Sequence, residues 1–401
     1  MAPVNILFTV FILVLQVLRP TDGRGPRVAP YVDILMSGPS LSELSSATGS
    51  KAFTVAFAVG GTSGCEPMWG GELPLNESKI INNIREFQSM GGQVIVATGG
   101  ALGPYLESIC TTEAALTGAY FKILDTVKTN HLDIDIEAAV PLNVLVKSLK
   151  NVQNARPETT VRLTLMVQGD DYGLTPELGV NLLKAAASVG LRVDIVNPMT
   201  MEFGTSRSDW GEAVISALES TLKQMASIWP EKSTSTLRSM LGATPMIGRN
   251  FNGKIFEVKH ARSLIDYAKK TGLGYLGFWS VGRDNGKCPG GGISPSCSSI
   301  AQSEYEFTKI FNEYADFAGQ PSNENGTFSN EIDDKVTNDK STASPSTTTT
   351  SAPLIKTCKG HESRFDEWCV ANCARDNCPE SICTCSTSPL APKLVYRTNR
   401  I

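Results

Sequence analysis

The sequence predicts an α/β fold, a (β/α)8 TIM barrel followed by a small disulfide-rich C-terminal module. Three observations carry that prediction. Eight short β-branched runs alternate with longer helical stretches across the central region, and strands alternating with helices imply a parallel sheet. About 295 residues lie between a leader-like start and a compositionally different end, enough for one barrel core of about 250 residues. No G-x-G-x-x-G opens a helix after the first run, which weakens the case for an open dinucleotide-binding sheet.

The chain starts with an apolar run over 6–18, broken only by Thr9 and Gln16. Thirteen residues are too few to span a bilayer and suit the core of a secretory signal. Residues 1–24 are therefore read as a signal peptide, with a short uncleaved anchor as the alternative. Strands are expected over 32–36, 53–59, 93–98, 132–137, 162–168, 193–199, 242–247 and 274–279. Helices are expected over 80–90, 112–129, 142–155, 175–189, 211–229 and 257–271. These elements make 25–319 the barrel domain. A polar, acidic stretch follows, and nine of the eleven residues over 341–351 are Ser or Thr. Such composition cannot bury a core, so 320–357 is read as an extended, O-glycosylated linker. Asn76 and Asn325 head N-glycosylation sequons.

Six of the ten cysteines crowd into 358–385, leaving a short tail over 386–401. A module this small needs disulfide staples in place of a core. Its spacing, C-x10-C-x3-C-x4-C-x4-C-x-C with the lone His361, does not suit a zinc finger or ribbon. Trp368 and Phe365 could stack on flat sugar faces, so a carbohydrate-binding role is one reading and a protein-interaction or protective knot the other. In the barrel domain, Cys65 and Cys110 follow strands two and three and are placed to bridge loops on one face. Cys288 and Cys297 flank a Gly-Pro-rich loop and are close enough to close a small ring.

Composition narrows the chemistry. The formal net charge of -4 and the lack of a basic patch argue against nucleic-acid binding. Only three histidines are present, so acid and base work falls mainly to carboxylates, and no metal or cofactor is called for. The sharpest signal is Leu132-Asp133-Ile134-Asp135-Ile136-Glu137. With period two, the three carboxylates share one face and the three aliphatics the other. In a barrel strand the aliphatic face packs on helices and the acidic face points inward. Acids about 6 to 7 Å apart in a confined site cannot all ionise cheaply. Glu137, at the C-terminal end of the strand, is then a ready general acid. A solvated acidic face and a hard-cation site are the competing readings. A strand flanked by helices in sequence does not present one face to water.

The segment Asn130-His131-Leu132-Asp133-Ile134-Asp135-Ile136-Glu137 resembles the D-G-x-D-x-D-x-E signature of glycoside hydrolase family 18 chitinases. The resemblance extends over about 29–318. Thr98-Gly99-Gly100 resembles the family's S-x-G-G, and Met199-Thr200-Met201-Glu202 falls where the family has M-x-Y-D. Thr244-Pro245-Met246-Ile247-Gly248 and Phe278-Trp279-Ser280 with Arg283-Asp284-Asn285 resemble its last two strands. The pattern is that of the compact bacterial-type domain, with no α+β insertion before strand eight.

The resemblance implies an endo-chitinase acting on chitin or chitooligosaccharides; the leader adds the expectation of secretion, and a monomer is expected. It implies retaining, substrate-assisted catalysis, in which the substrate's acetamido group replaces a protein nucleophile. Glu137 would be the acid and base, Asp135 would orient the acetamido group, and Asp133 would tune Asp135. Trp279 would floor the sugar site, with Glu202, Met199, Gly99 and Gly100 as further binding positions. Two departures stand out. Asn130 and His131 replace the first Asp and Gly of the signature, and Met201 and Glu202 replace Tyr and Asp. Asn197, Gln168 or another tyrosine would then hold the acetamido oxygen. An endo-β-N-acetylglucosaminidase acting on N-glycans shares the ladder. A chitin-binding lectin shares the barrel but usually lacks the last acid.

Overall fold

A computed structural model describes residues 25–61 and 64–318, together with the backbone of 354–360 and 383–389. The signal peptide over 1–24, most of the linker, the Asn325 sequon, the centre of the Cys-rich module and the tail lie outside the described residues. Leu354–Gly360 pairs antiparallel with Cys383–Pro389, setting Cys358 opposite Cys385. The first of these strands begins inside the stretch read from sequence as linker.

Eight parallel strands form the barrel. They are β1 (Tyr31–Asp33), β2 (Ala52–Gly61), β3 (Gln93–Gly99), β4 (His131–Ile136), β5 (Thr160–Gly169), β6 (Ile195–Met199), β7 (Gly242–Ala243) and β8 (Tyr275–Leu276). Ladders join β1 through β6 in order, the one between β2 and β3 with an irregularity between Val55 and Ala58, and a short one joins β7 to β8. Single bridges link β6 to the β7 segment at Val196–Leu241 and Met199–Thr244. The ring closes between β8 and β1, where Ala29 N donates to Leu276 O and Tyr31 N to Phe278 O, each at 3.1 Å.

Helices α1 (Leu41–Thr48), α2 (Ser78–Ser89), α3 (Glu113–Val127), α4 (Leu142–Ala155), α5 (Asn181–Ser188), α6 (Trp210–Ile228) and α7 (Val258–Thr271) cross over between successive strands. Helix α8 (Glu306–Ala318) follows β8. Local chemistry sets their ends. Ser40 and Glu43 form a capping box on α1, and Gly49 closes it at a φ of 79°. Asp209 caps α6 by accepting from Glu212 N at 2.9 Å. The core lies between sheet and helices, and Leu132, Ile134 and Ile136 of β4 are fully buried there.

Three expectations change. The stretch expected as one helix over 175–189 is a π-type turn, Pro176–Val180, followed by α5. Val180 N donates to Thr175 O at 2.9 Å, five residues back, so this first turn is wider than an α-turn. Strands seven and eight have regular ladders only two residues long. Pro245 cannot donate to a ladder, and the two strands continue past it through a single bridge, Met246–Trp279. Helix α1, not singled out from sequence, is an eight-residue element with a small apolar face. Between β7 and β8 there is only a small hairpin, Gly248–Arg249 with Ile255–Phe256, before α7. Asn76, of the first sequon, is exposed.

Both cysteine pairs of the barrel domain are bonded, Cys65 to Cys110 and Cys288 to Cys297. The first links the hairpin after β2 to the loop after β3 and closes a sequence separation of 45 residues. Constraining a loop of that length in the unfolded chain stabilises the fold by about 2–4 kcal/mol. Replacing both cysteines by serine is expected to lower the unfolding free energy by that amount in a denaturant titration. An unchanged midpoint would show that the loops hold without the bond.

Candidate active site

The period-two ladder of β4 places Asp133 and Asp135 inside the ring and Glu137 just beyond its C-terminal end. Each acid meets a different environment. Asp133 is deepest and fully engaged. Its Oδ2 accepts from Tyr31 Oη at 2.5 Å and its Oδ1 from Thr164 Oγ1 at 2.6 Å. Thr244 Oγ1 donates to Asn197 Oδ1 at 3.0 Å, and Asn197 Nδ2 donates to Thr164 Oγ1 at 2.9 Å. This chain fixes which way each hydroxyl points, so Asp133 is the terminal acceptor. Burial raises its pKa, while the Thr164 and Tyr31 bonds and the Arg162 charge pull it back.

Asp135 lacks such support. It is 4% exposed, and its Oδ1 has no hydrogen-bond partner among the described residues. Burial lifts its pKa well above the carboxylate range, and the charges of Glu137, Asp133 and Glu107 lift it further. Glu137 is half-buried at the rim, where burial raises its carboxyl to about 7. Glu107 is fully buried behind the sheet, accepting from Thr98 Oγ1 at 2.6 Å and Tyr120 Oη at 2.8 Å.

The glycines after β3 are required by close approach. A Cβ on Gly99, whose φ is 83°, would sit 1.8 Å from the carbonyl oxygen of Asp135. A Cβ on Gly100 would sit 2.8 Å from the Phe57 ring, and Gly100 N donates to Asp135 O at 3.0 Å.

Asp135, Glu137, Met199, Glu202 and Trp279 line one cavity of about 180 Å³ at the C-terminal end of the barrel. Trp279 stacks on Phe57, with ring centroids 5.7 Å apart and planes at 24°. The other expected residues lie elsewhere. Asp133 and Asn197 are beneath the cavity, and both ends of the Asn197 amide are spent on Thr164 and Thr244. Gln168 is half-buried and is not part of the lining. Glu202 is on the wall, but both of its oxygens accept backbone N–H groups, from Phe251 and Asn252. Sequence reasoning missed Tyr31, Phe57, Thr164, Met166, Met246 and Phe251, which also line the cavity. Inward parity on β1 and β5 could have nominated Tyr31, Thr164 and Met166; Phe57 lies at the irregularity of β2 between Val55 and Ala58, where strict alternation would have turned it outward. Among the described residues no three His, Cys, Asp or Glu side chains converge as a metal cage.

No family model matches the chain. A match of another kind decides its family. The structure aligns over 73% of this chain with 96% of active domain 2 of a thermostable chitinase from Pyrococcus furiosus, at 34% identity and a TM-score of 0.68. The chain belongs to glycoside hydrolase family 18. Two curated relatives agree with that family 18 assignment. A probable bifunctional chitinase/lysozyme of Escherichia coli (strain K12) is 30% identical over 71% of this chain, and Endochitinase 11 of Metarhizium anisopliae is 31% identical over 64%. The chain spans 34% and 52% of the length of these two relatives.

Within this family 18 site, the Tyr31–Asp133 bond is a buried, charge-assisted contact. Replacing Tyr31 by Phe removes the donor to Oδ2 and keeps the ring. Unfolding free energy at neutral pH is expected to fall by about 1.5–3 kcal/mol. Denaturant titration checks this, and an unchanged value would mean that Thr164 alone satisfies Asp133.

Proposed function

We propose that the protein is a secreted endo-chitinase that hydrolyses β-1,4-linked N-acetylglucosamine polymers with retention, using the substrate's acetamido group. The observation that carries this reading is the graded ladder. Asp133 is fully hydrogen-bonded, Asp135 is buried with a bare oxygen, and Glu137 has a pKa of about 7 at the cavity rim. The relative from Pyrococcus furiosus, similar over almost its whole domain, was crystallised as catalytic-site mutants complexed with chito-oligosaccharides.

In this reading Glu137 gives its proton to the glycosidic oxygen as the bond to the anomeric carbon breaks. The acetamido carbonyl oxygen attacks that carbon from the other face. Its nitrogen becomes positive, and the Asp135 carboxyl lies where an N–H donor would meet it. Water then adds with Glu137 as base, which restores the acid and retains configuration. Trp279 and its Phe57 backing offer a flat apolar face to the sugar. Met201 stands on the wall where the family has tyrosine, and the Tyr31 hydroxyl is committed to Asp133. Turnover therefore proceeds without that phenolic hydroxyl on the acetamido oxygen. The leader and the two disulfides fit an oxidising, extracellular setting. The Cys-rich module would tether the barrel to insoluble polymer.

Glu137→Gln is expected to abolish release of shorter products from chitin oligomers while sparing their binding. Unchanged turnover in that variant would end the assignment. The products of the unmodified protein should carry the β-anomer, which nuclear magnetic resonance of fresh digests reads directly.

The raised pKa sets two pH effects of known sign. Glu137 must be protonated to act, so kcat/KM should fall as pH rises through about 7. A carboxyl whose folded-state value exceeds its unfolded value favours the folded protein at low pH and costs stability once ionised. Glu137→Gln should therefore be more stable than the parent at pH 8, by about 1–2 kcal/mol after solvent screening. The difference should vanish near pH 4, the ordinary range for Glu. Thermal melts across that range measure it.

A further inference from the structure

Glu202 lines the cavity, and each of its oxygens already accepts one backbone N–H. Oε1 accepts the backbone N–H of Phe251 at 2.8 Å, and Oε2 that of Asn252 at 2.7 Å. Asn252 Nδ2 in turn donates to Phe203 O at 3.2 Å. The same loop is gripped through its carbonyls by Arg283, a residue that is 1% exposed. Arg283 Nη2 donates to Ile247 O at 3.0 Å and to Arg249 O at 2.8 Å. One buried guanidinium takes the carbonyls of the loop, and one carboxylate takes its amides.

The residue these groups hold in place is Phe251. It lines the cavity, is half-buried, and pairs with no other aromatic ring among the described residues. The core does not need a phenyl ring there, since Phe251 is outside the buried apolar cluster. Glu202 sits at a φ of 57°, a backbone conformation uncommon for a residue with a Cβ. That backbone is consistent with a side chain held for its reach.

We propose that Phe251 is a sugar-stacking residue of the cavity and that Glu202, acting with Arg283, is the positioning residue that holds it there. The proposal rests on the chitinase reading above and says how that site recognises its sugar. An N-acetylglucosamine ring presents an apolar face of C–H groups, and a phenyl ring on the cavity wall matches it. Glutamate is one methylene longer than the aspartate the family places here. In this chain that length is spent on the loop amides rather than on substrate.

The test uses the full chain, with N-acetylglucosamine tetramers and pentamers as substrate. Phe251→Ala, Glu202→Gln and the double variant are compared by steady-state kinetics, by calorimetric binding in a Glu137→Gln background, and by thermal melting. Phe251→Ala is expected to raise KM and weaken binding about tenfold, with most of the kcat/KM loss carried by KM. Glu202→Gln should show the same split with a smaller factor. The double variant should match Phe251→Ala alone, because Glu202 acts through Phe251. Phe251→Trp should restore binding.

An unchanged KM in Phe251→Ala overturns the stacking role. Additive KM effects, or a Glu202→Gln loss carried by kcat, overturn the positioning role and put Glu202 on the reacting sugar. The parent protein is measured first. If it neither binds nor cleaves the oligomers, the chitinase reading itself fails and the proposal falls with it.

Discussion

Three carboxyl groups on one face of one strand, enclosed by a ring of seven others, form the constraint on which the rest of the site depends. Charged oxygens in that space need donors or protons. The barrel answers differently at each level. At the bottom, two hydroxyls converge on Asp133 and make it an acceptor. In the middle, Asp135 has a bare oxygen, and burial and like-charged neighbours push its pKa up. At the rim, Glu137 is raised only as far as about 7, a value from which a proton can be both given and regained near neutrality. The acids titrate as a coupled set, and their separated environments are what divide the roles.

Much of this was legible in the sequence because it is local. A period-two acid ladder, a glycine pair after β3 and a tryptophan at the end of β8 each follow from a few adjacent residues. The crossover pattern followed from alternating runs of ordinary length. The supports were not legible, because they are long-range. Tyr31 lies 102 residues from Asp133, and Thr164 lies 31 from it. Nothing in the spacing of β1 and β5 marks those two hydroxyls as a pair. The sequence offers Glu202 as a ligand contact through the family motif and Asn197 as a stand-in for the motif's missing tyrosine. Their hydrogen bonds are spent on neighbouring threonines and on a loop backbone. Parity places a side chain on a face and does not say what that side chain meets. Proline disturbed the regular reading at Pro245, past which the last two strands meet at a single bridge.

The Asn130 and His131 departures from the family signature lie at the far end of β4 from the cavity. His131 is the first residue of β4, at the end of the barrel opposite the cavity. Its Nδ1 lies 2.8 Å from Thr160 Oγ1. Burial, followed by the Arg162 charge, lowers its pKa to about 4, so the ring is neutral wherever Glu137 works. The permanent charge beneath the ladder is Arg162, which is 1% exposed, donates to Pro26 O at 2.5 Å and lies 4.1 Å over the Tyr275 ring. Support for Asp133 in this chain thus comes from Tyr31, Thr164 and a buried guanidinium.

The mouth of the barrel is fastened by other means than the strands. One disulfide ties the loops after β2 and β3, and another closes the loop after β8. Arg283-Asp284-Asn285 makes that last loop a hub. Arg283 reaches the β7 loop, and Asn285 Nδ2 donates to Ser296 O at 2.8 Å. Asp284 Oδ2 accepts from Thr308 N at 2.7 Å and Oδ1 from Phe307 N at 3.1 Å, fixing the first turn of α8. Strand eight has a ladder of only two residues, so without these bonds the wall carrying Trp279 would rest on little regular structure. Groups that must meet a developing charge are most effective when they need not move to do so. Glu137 sits at the end of a central strand, while Trp279 and Phe251 sit on tied loops. The walls of the cavity are therefore tied independently of the ladders, and the short final strands are compensated by side chains whose bonds end on backbone.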